Sequence, residues 1–577
     1  MKRGRESAVV VIGAGATGTC LAERLCAHAA HHLERGDVLD LHVVDPRPPG
    51  PGRTWRDGLP DALRAESPAA DLSAYTGAAR PGPSPAQWLG RPPGHLPTRS
   101  ELGRYLAFTF ERMLRTAPDG VRVHVHPARA TELTGAAGRQ RVELSTGAWL
   151  EADAVVLARG CPETAPPPAE AAELAFAARH GLAYLPPADA ADTANADTAD
   201  ADAATGFAAG SVPAREPVLV RGMGRTFGDL VALLTVGRGG RFAEEGRGEL
   251  VYLPSGDEPL LHVGSRRGVP RHARPGYRLA ATPWLPEAAR GMEPRQAAAR
   301  RLAYAYYREL FTRHPARTRT TWEAFEAVLA RAEWGGKETR ALVTRSVPGF
   351  ADRLHLDRLA RPLHGMRFGD LAGLQRWMRG YLTADLERRA DPAFSADLAL
   401  VHALLSAPET GDPWLRGLRD LLADGPSLVR QAELRALAKA GVVTFLGAGP
   451  RVHRDEAAGA WRAGGPTVPG SVTARALVEA RRPAAAVRDA IDPLLARLRA
   501  TGECRDVAGL LDVRLPDRRL RGASGQVHAR RFALGSWTAG GAGFDGPGGS
   551  ALLLQQADDL ARAVLALAAG ERLRTAA

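Results

Sequence analysis

The sequence predicts a mixed α/β protein: two buried parallel sheets, each opened by a glycine turn, with a largely helical stretch inserted between their segments. Three observations carry this. First, the apolar run Ala8-Val9-Val10-Val11-Ile12 leads at once into Gly13-Ala14-Gly15-Ala16-Thr17-Gly18 and then into a helical pattern. Second, the arrangement recurs, with Pro217-Val218-Leu219-Val220 followed by Arg221-Gly222-Met223-Gly224-Arg225-Thr226-Phe227-Gly228. Third, from Glu287 to about Lys439 the periodicity is helical, interrupted by turns that contain Pro or Gly. Together they predict two Rossmann-like dinucleotide-binding domains, the first of them discontinuous.

In the first turn the glycines have separate tasks. Gly13 permits the tight turn, Gly15 lets backbone approach a pyrophosphate, and Gly18 lets the helix pack on the strand. The helix N-terminus adds unpaired N–H groups and a partial positive charge. A second apolar run, Val38 to Val44, ends in Asp45, whose carboxylate is placed to accept hydrogen bonds from ribose hydroxyls. Strand, glycines, helix, strand and terminal acid together point to a dinucleotide. Lys2, Arg3 and Arg5 precede this stretch as they would in a secretory leader. Glu6 and the glycines interrupt the apolar part, however, and Glu23 and Arg24 follow without a cleavage site, so no leader is expected.

The bulk composition narrows the classes. A chain of 577 residues exceeds what one core usually supports, and 45% hydrophobic with 24% charged residues suits a soluble globular protein. No run approaches a membrane span. The formal charge of +12 comes from scattered arginines, with Lys2, Lys337 and Lys439 the only lysines, so no nucleic-acid partner is expected. Four cysteines are too few for a disulfide framework, and none form a CxxC pair; a reduced, cytoplasmic setting is expected, without a metal centre.

After Asp45 a stiff Pro- and Gly-rich loop ends in Gly52-Arg53-Thr54-Trp55. Leu96 to Glu101 opens a helix running to Arg115, with Ser100 as the expected N-cap. Val121 to His126 alternates as a strand, its histidines at solvent-facing positions. Glu151 to Gly160 reads as a further buried strand. Residues 186–212, with their Ala, Asp and Thr repeats, read as a low-complexity linker without chemistry. In the second unit Gly228 stands one position later than Gly18 does in the first. The following strand, Leu260 to Gly264, ends in Ser265-Arg266-Arg267. An acid at that strand end favours a free ribose 2′-hydroxyl, whereas arginine accommodates a 2′-phosphate. Arg266 and Arg267 therefore point to NADPH, and the alternative is a surface pair in an Arg-rich chain. The aromatic residues of the helical stretch, Tyr304, Tyr306, Tyr307, Trp322, Trp334 and Trp377, are expected in a core. Strands at Val442–Gly447, Thr473–Arg481 and Arg530–Gly535 follow, then a glycine-rich loop and the amphipathic helix Ala551–Ala569. The expected boundaries are 1–185 and 505–577 for the discontinuous first domain, 213–286 and 441–504 for the second, and 287–440 for the helical insertion.

The phrases GAGATG, VVDPRPPGPGRTW, LPTRSELGRYL, VLVRGMGRTFGDL, GGRF, LHVGSRRGVPRHARP and RRFALG span nearly the whole chain, which resembles the bacterial FAD-NAD(P)-binding family of flavoproteins. More distantly it is similar to class B flavin monooxygenases and amine N-hydroxylases. The resemblance implies FAD at the first turn and NADPH at the second. It places Arg53 and Trp55 in a G-G-x-W-like phrase near the flavin, although a loop-capping role suits Trp55 equally. It makes Gly160 and Gly535 the closing glycines of the two FAD segments. One departure stands out: Leu63-Arg64-Ala65-Glu66-Ser67-Pro68 replaces the family's apolar-Met-Asn-Thr phrase, which bears on flavin binding or oxygen chemistry. The implied activity is a monooxygenase, with N-hydroxylation in view, acting on a small metabolite. The alternatives are a flavin oxidoreductase without oxygen transfer and a non-catalytic nucleotide-binding protein. No residue motif specifies the catalytic groups, because the cofactor carries the hard chemistry.

Overall fold

In a computed structural model the chain is described except for residues 1–4, 77–79, 136, 195–208, 247, 282, 284, 286–291, 408–411, 482–485 and 571–577. It divides into two compact units. The first is drawn from residues 1–171, 189–203 and 482–577, the second from 172–188 and 204–481.

The first unit is built on a seven-stranded sheet. Five of its strands, in the order Val527–Ala533, Ala154–Leu157, Glu6–Ile12, Val38–Val44 and Val121–His126, lie side by side and parallel, the last at the sheet's edge. Val9, Val10 and Val11 have no exposed surface, as a strand covered on both faces requires. The helix Ala16–His32 and the closing helix Ala551–Ala568 share one core with the strand face of Val9 and Val11. His28 of the former meets Asp558 of the latter at 2.6 Å. The helix Arg99–Arg115 is capped by Thr98, not Ser100. Thr98 and Glu101 exchange side-chain and backbone bonds in a capping box, while the Ser100 hydroxyl donates to Asp57. His124 and His126 gather on His42 of the neighbouring strand, stacked at 4.8 Å and hydrogen-bonded at 3.0 Å respectively.

The second unit has a five-stranded parallel sheet in the order Val443–Ala448, Leu260–Ser265, Pro217–Arg221, Ala476–Glu479, Ala183–Leu185. The helices between Pro294 and Lys439 share one continuous core with it, in which Leu302, Tyr307 and Phe325 join Leu261, Val263 and Phe445. The helical stretch is thus part of this unit's core and not a separately packed body. Tyr304, Tyr306 and Tyr307 are buried in this core, and Trp322, Trp334 and Trp377 pack against the same core from partly buried positions.

Two boundaries differ from the sequence expectation. The segment 172–185 belongs to the second unit, because Ala183–Leu185 finds its partner in Ala476–Glu479. The described residues after Arg481 belong to the first: Leu494, Leu495, Leu498 and Cys504 pack beneath Val10, Ile12 and Leu157. The expected linker 186–212 is also corrected where it is described. Ala190 and Ala191 are buried, and the carboxylates of Asp189 and Asp192 are ion-paired. Small side chains and acids suffice there because the arginines they meet lie elsewhere in the sequence.

Candidate active site

The first glycine turn is held shut from behind and left open in front. Gly13 has φ +106°, and a Cβ on it would stand 2.6 Å from the Ala158 carbonyl. A Cβ on Gly18 would stand 1.8 Å from the Gly13 carbonyl. Both are glycines because the protein itself leaves no room. Gly15 is different: its φ is −69°, and an added Cβ would meet only the Cα of Gly52, at 3.5 Å. It is the N-cap of Ala16–His32, and no side chain caps that end. A glycine without an internal steric reason, at an uncapped helix N-terminus, fits a phosphate that comes close to backbone.

Asp45 accepts from the Ala14 N–H at 2.7 Å and from the Arg47 N–H at 2.9 Å. Its carboxylate therefore tethers the glycine turn to the second strand while keeping lone pairs for a further donor. Gly52 comes close to Gly15: a Cβ on it would stand 2.8 Å from the Gly15 Cα. Arg53, however, turns its guanidinium to Glu163 at 2.8 Å and Asp192 at 2.9 Å. Trp55 is buried, edge-on to Phe544 with ring centres 6.3 Å apart, and the Arg99 guanidinium lies 5.8 Å from its ring. Arg99 in turn pairs with Asp189 at 2.7 Å.

Gly160 and Gly535 follow the ends of adjacent parallel strands, on the same sheet edge as Gly13. Gly160 is exposed, beside the Arg159–Asp492 ion pair at 2.5 and 2.7 Å. Gly535 has φ +118°, and a Cβ there would meet the Trp537 ring at 3.1 Å and the Arg159 carbonyl at 3.3 Å. The departing segment 63–68 is firmly anchored. The Glu66 and Ser67 N–H groups donate to the buried Asp545 carboxylate at 2.8 and 3.0 Å, tying it to the glycine-rich loop before the closing helix.

The second turn repeats the first. Gly222 has φ +117°, with the Ala480 carbonyl 2.7 Å from a would-be Cβ. Gly224 caps Arg225–Leu234 without a side-chain hydrogen bond, and Gly228 lies in that helix's first turn. Arg266 is exposed at the end of Leu260–Ser265. Arg267 is half-buried and donates through Nε to the Ala360 carbonyl at 2.9 Å. The two arginines that sequence treats as a pair thus have different surroundings.

A buried polar cluster in this unit has no counterpart in the sequence reading. His272 Nδ1 meets Asp385 at 2.6 Å, and Nε2 meets the Tyr381 hydroxyl at 2.9 Å. The Asp385 carboxylate also accepts from the Ala273 N–H at 2.8 Å and Gln431 Nε2 at 2.9 Å. Burial pushes this carboxyl up, but His272, Arg389 and the Ala273 N–H outweigh it and hold it below its ordinary value. His272 lies 113 residues before Asp385 and Gln431 lies 46 after it, so no local motif reveals the cluster. Cys20 and Cys26 are buried, and desolvation pushes both thiols up to about 12. Among the described residues no group of three or more His, Cys, Asp or Glu side chains is arranged to hold a metal ion, and no helix is long and apolar enough to cross a membrane.

Two parallel-sheet units, each with a glycine turn open to a dinucleotide, define a two-dinucleotide oxidoreductase. Comparison with known proteins agrees. The family described as FAD-NAD(P)-binding matches residues 10–162. Nitrosuccinic acid synthase of Aspergillus oryzae is 34% identical, over 97% of this chain and 93% of its own length. A nitrosuccinate-forming L-aspartate N-monooxygenase of Streptomyces davaonensis is 33% identical over 97% of each chain. That of Streptomyces cremeus is 34% identical over 99% of this chain and 96% of its own. Of solved structures, oxidised steroid monooxygenase bound to NADP aligns over 97% of this chain and 84% of that one, at 15% identity and TM-score 0.40. The chain belongs to the family of these N-monooxygenases. It is a FAD- and NAD(P)H-dependent monooxygenase of a small metabolite.

Proposed function

We propose that the substrate is L-aspartate and that the enzyme oxidises its amine to the nitro group of nitrosuccinate. The observation that carries this is the near-complete, mutual coverage of the nitrosuccinate-forming relatives at 33–34% identity. With flavin bound, the chemistry supplied is acceptance of hydride from NADPH and activation of dioxygen.

The chain's residues position that chemistry. Gly15 and the open N–H groups of Ala16–His32 hold the flavin dinucleotide's phosphates, Asp45 takes its ribose, and Gly52, Trp55, Gly160 and Gly535 shape the rest of that pocket. Arg53 contributes at one remove, by fastening the buried Ala190–Ala191 segment over the loop through Asp192. Gly222, Gly224 and Gly228 receive NADPH, and the exposed Arg266 meets its 2′-phosphate. The segment 63–68, which stands where the family has its Met-Asn-Thr phrase, is held through the Glu66 and Ser67 N–H groups on the Asp545 carboxylate. We place the enzyme in the cytoplasm, where NADPH and aspartate are both abundant, without a nucleic-acid partner.

The test is product analysis. Purified enzyme with L-aspartate, NADPH and isotopically labelled dioxygen should yield nitrosuccinate with both nitro oxygens labelled. The six-electron oxidation takes three monooxygenation rounds, each consuming one NADPH and one dioxygen, and one of the three inserted oxygens leaves as water. NADPH consumption that yields only peroxide with L-aspartate, but an N-oxidised product with another amine, would reassign the substrate. Flavin reduction without any labelled product would favour an oxidoreductase lacking oxygen transfer.

A further inference from the structure

The loop after Leu260–Ser265 carries, beyond Arg266 and Arg267, a further arginine that the strand-end pattern does not single out. Arg271 Nη1 donates to the Asp424 carbonyl at 2.7 Å and to the Asp424 carboxylate. The other oxygen of that carboxylate accepts from Arg225 Nη1 at 3.0 Å. Arg225 is the first residue of the helix that the second glycine turn opens. A Cβ on Gly224 would stand 3.6 Å from Arg271 Nη2, so this guanidinium overlies the glycine whose bare Cα admits a phosphate. One aspartate thus lashes two guanidinium groups beside an uncapped helix N-terminus, and Asp420 lies close enough to Arg271 to add a second carboxylate's attraction.

The backbone that presents Arg271 is held at every residue. Gln431 Nε2 donates to the Arg271 carbonyl at 3.1 Å, the His272 N–H donates to the Leu421 carbonyl at 2.9 Å, and the Ala273 N–H donates to Asp385 at 2.8 Å. Gln431 and the His272 ring converge on that same buried Asp385. A Cβ on Gly425 would stand 1.6 Å from the His272 carbonyl, so the opposing loop is fitted closely against this one. An arginine on an unconstrained surface loop would not need such support.

We propose that Arg271, assisted by Arg225, clamps the diphosphate of the nicotinamide dinucleotide, and that Asp385 and Gln431 are its positioning residues. The role is distinct from that of Arg266. A diphosphate is common to NADPH and NADH, whereas a 2′-phosphate separates them. Arg271 therefore contributes affinity without cofactor preference.

The experiment is isothermal titration of flavin-loaded Arg271→Gln, Arg271→Lys and Arg225→Gln enzymes with NADP+, NAD+ and adenosine 2′-monophosphate, which has no diphosphate. Arg271→Gln should weaken NADP+ and NAD+ by the same factor, roughly ten- to a hundredfold, the worth of one charge-assisted hydrogen bond. Adenosine 2′-monophosphate should bind as to wild type, and Arg271→Lys should recover part of the loss. Unchanged binding of both dinucleotides overturns the proposal. So does a loss confined to NADP+, which would make Arg271 a 2′-phosphate ligand, or an equal loss for the monophosphate, which would make it structural. If Arg271→Gln does not fold, Arg271→Lys and Arg225→Gln decide by the same comparison.

Discussion

A single methyl group on Gly15 separates the part of the first turn built for the protein from the part built for its ligand. Gly15 has φ −69°, a conformation any residue adopts, and an added Cβ meets only the Gly52 Cα at the ordinary contact distance of 3.5 Å. The fold should therefore tolerate Gly15→Ala with little change in melting temperature. The flavin should not, because that methyl group stands where backbone must approach the pyrophosphate. Loss of one backbone hydrogen bond to a charged phosphate is worth about 1.5–3 kcal/mol, or roughly ten- to a hundredfold in FAD affinity. Gly18→Ala is the contrasting variant. Its methyl carbon would stand 1.8 Å from the Gly13 carbonyl, so the backbone must shift, at about 1–3 kcal/mol of stability. The assay pairs flavin content on purification and FAD titration of apoprotein with thermal melts of both variants. Wild-type FAD affinity in Gly15→Ala would refute the reasoning. So would a Gly15→Ala protein that melts as early as Gly18→Ala, since the glycine would then be needed by the fold alone.

Arg266→Ala should lower the preference for NADPH over NADH in anaerobic flavin reduction by about ten- to a hundredfold, while NADH use hardly changes. Arg267→Ala should instead leave the preference intact and lower stability by about 1 kcal/mol, from loss of its bond to the Ala360 carbonyl; equal losses with both nucleotides in either variant would contradict this division. Asp385→Asn should destabilise by about 3–5 kcal/mol in denaturant unfolding, because Asn cannot serve the His272, Ala273, Gln431 and Arg389 donors together. The depressed Asp385 pKa has a further consequence: its contribution is present above the unfolded carboxyl value near 4 and disappears as pH falls through the folded value, so the variant should show a weaker acid-side decline. His42 gives the complementary case. Burial first, then His124 and His126, lower its pKa from 6.5 to about 4, so the unfolded ring takes up a proton that the folded ring refuses. Stability should fall as pH drops from about 6.5 to about 4, and His42→Gln should flatten that slope in melts across the window.

What sequence could show was whatever lies within one turn of chain. The strand–glycine–helix phrases at 8–18 and 217–228 were legible because all their constraints are local: an apolar run, a tight turn and a helix start. The cap of Arg99–Arg115 was misplaced by two residues because Thr98 and Ser100 are both good caps, and only Glu101, three residues after Thr98, distinguishes them. Segment 186–212 looked coreless because its alanines are small and its acids numerous. Ala190 and Ala191 are nonetheless buried, since Arg53, Arg56 and Arg99 receive the neighbouring carboxylates. Composition reports how much apolar area a segment has, but not whether distant cations will meet its charges.

The arginines at the second turn show the same limit with consequences for function. Arg266 and Arg267 stand next to a strand end, where an arginine has a recognisable task. Adjacency along the chain is a poor guide to side-chain direction once a loop turns. Arg267 faces the Ala360 carbonyl, while Arg271, four residues later, comes back over Gly224. The return is imposed by Asp424, in the loop between Pro413–Leu422 and Leu428–Lys439, and by Asp385 and Gln431, on the helices Leu371–Ala390 and Leu428–Lys439. Those helices share the core of the parallel sheet. Their role therefore extends beyond covering a sheet face: they and the loop between them supply the groups that hold Arg271 beside a glycine turn more than forty residues earlier in the chain (Gly224 to Arg271). A variant that loosens them, such as Asp385→Asn, should weaken nucleotide binding at the second turn before it disturbs flavin content at the first.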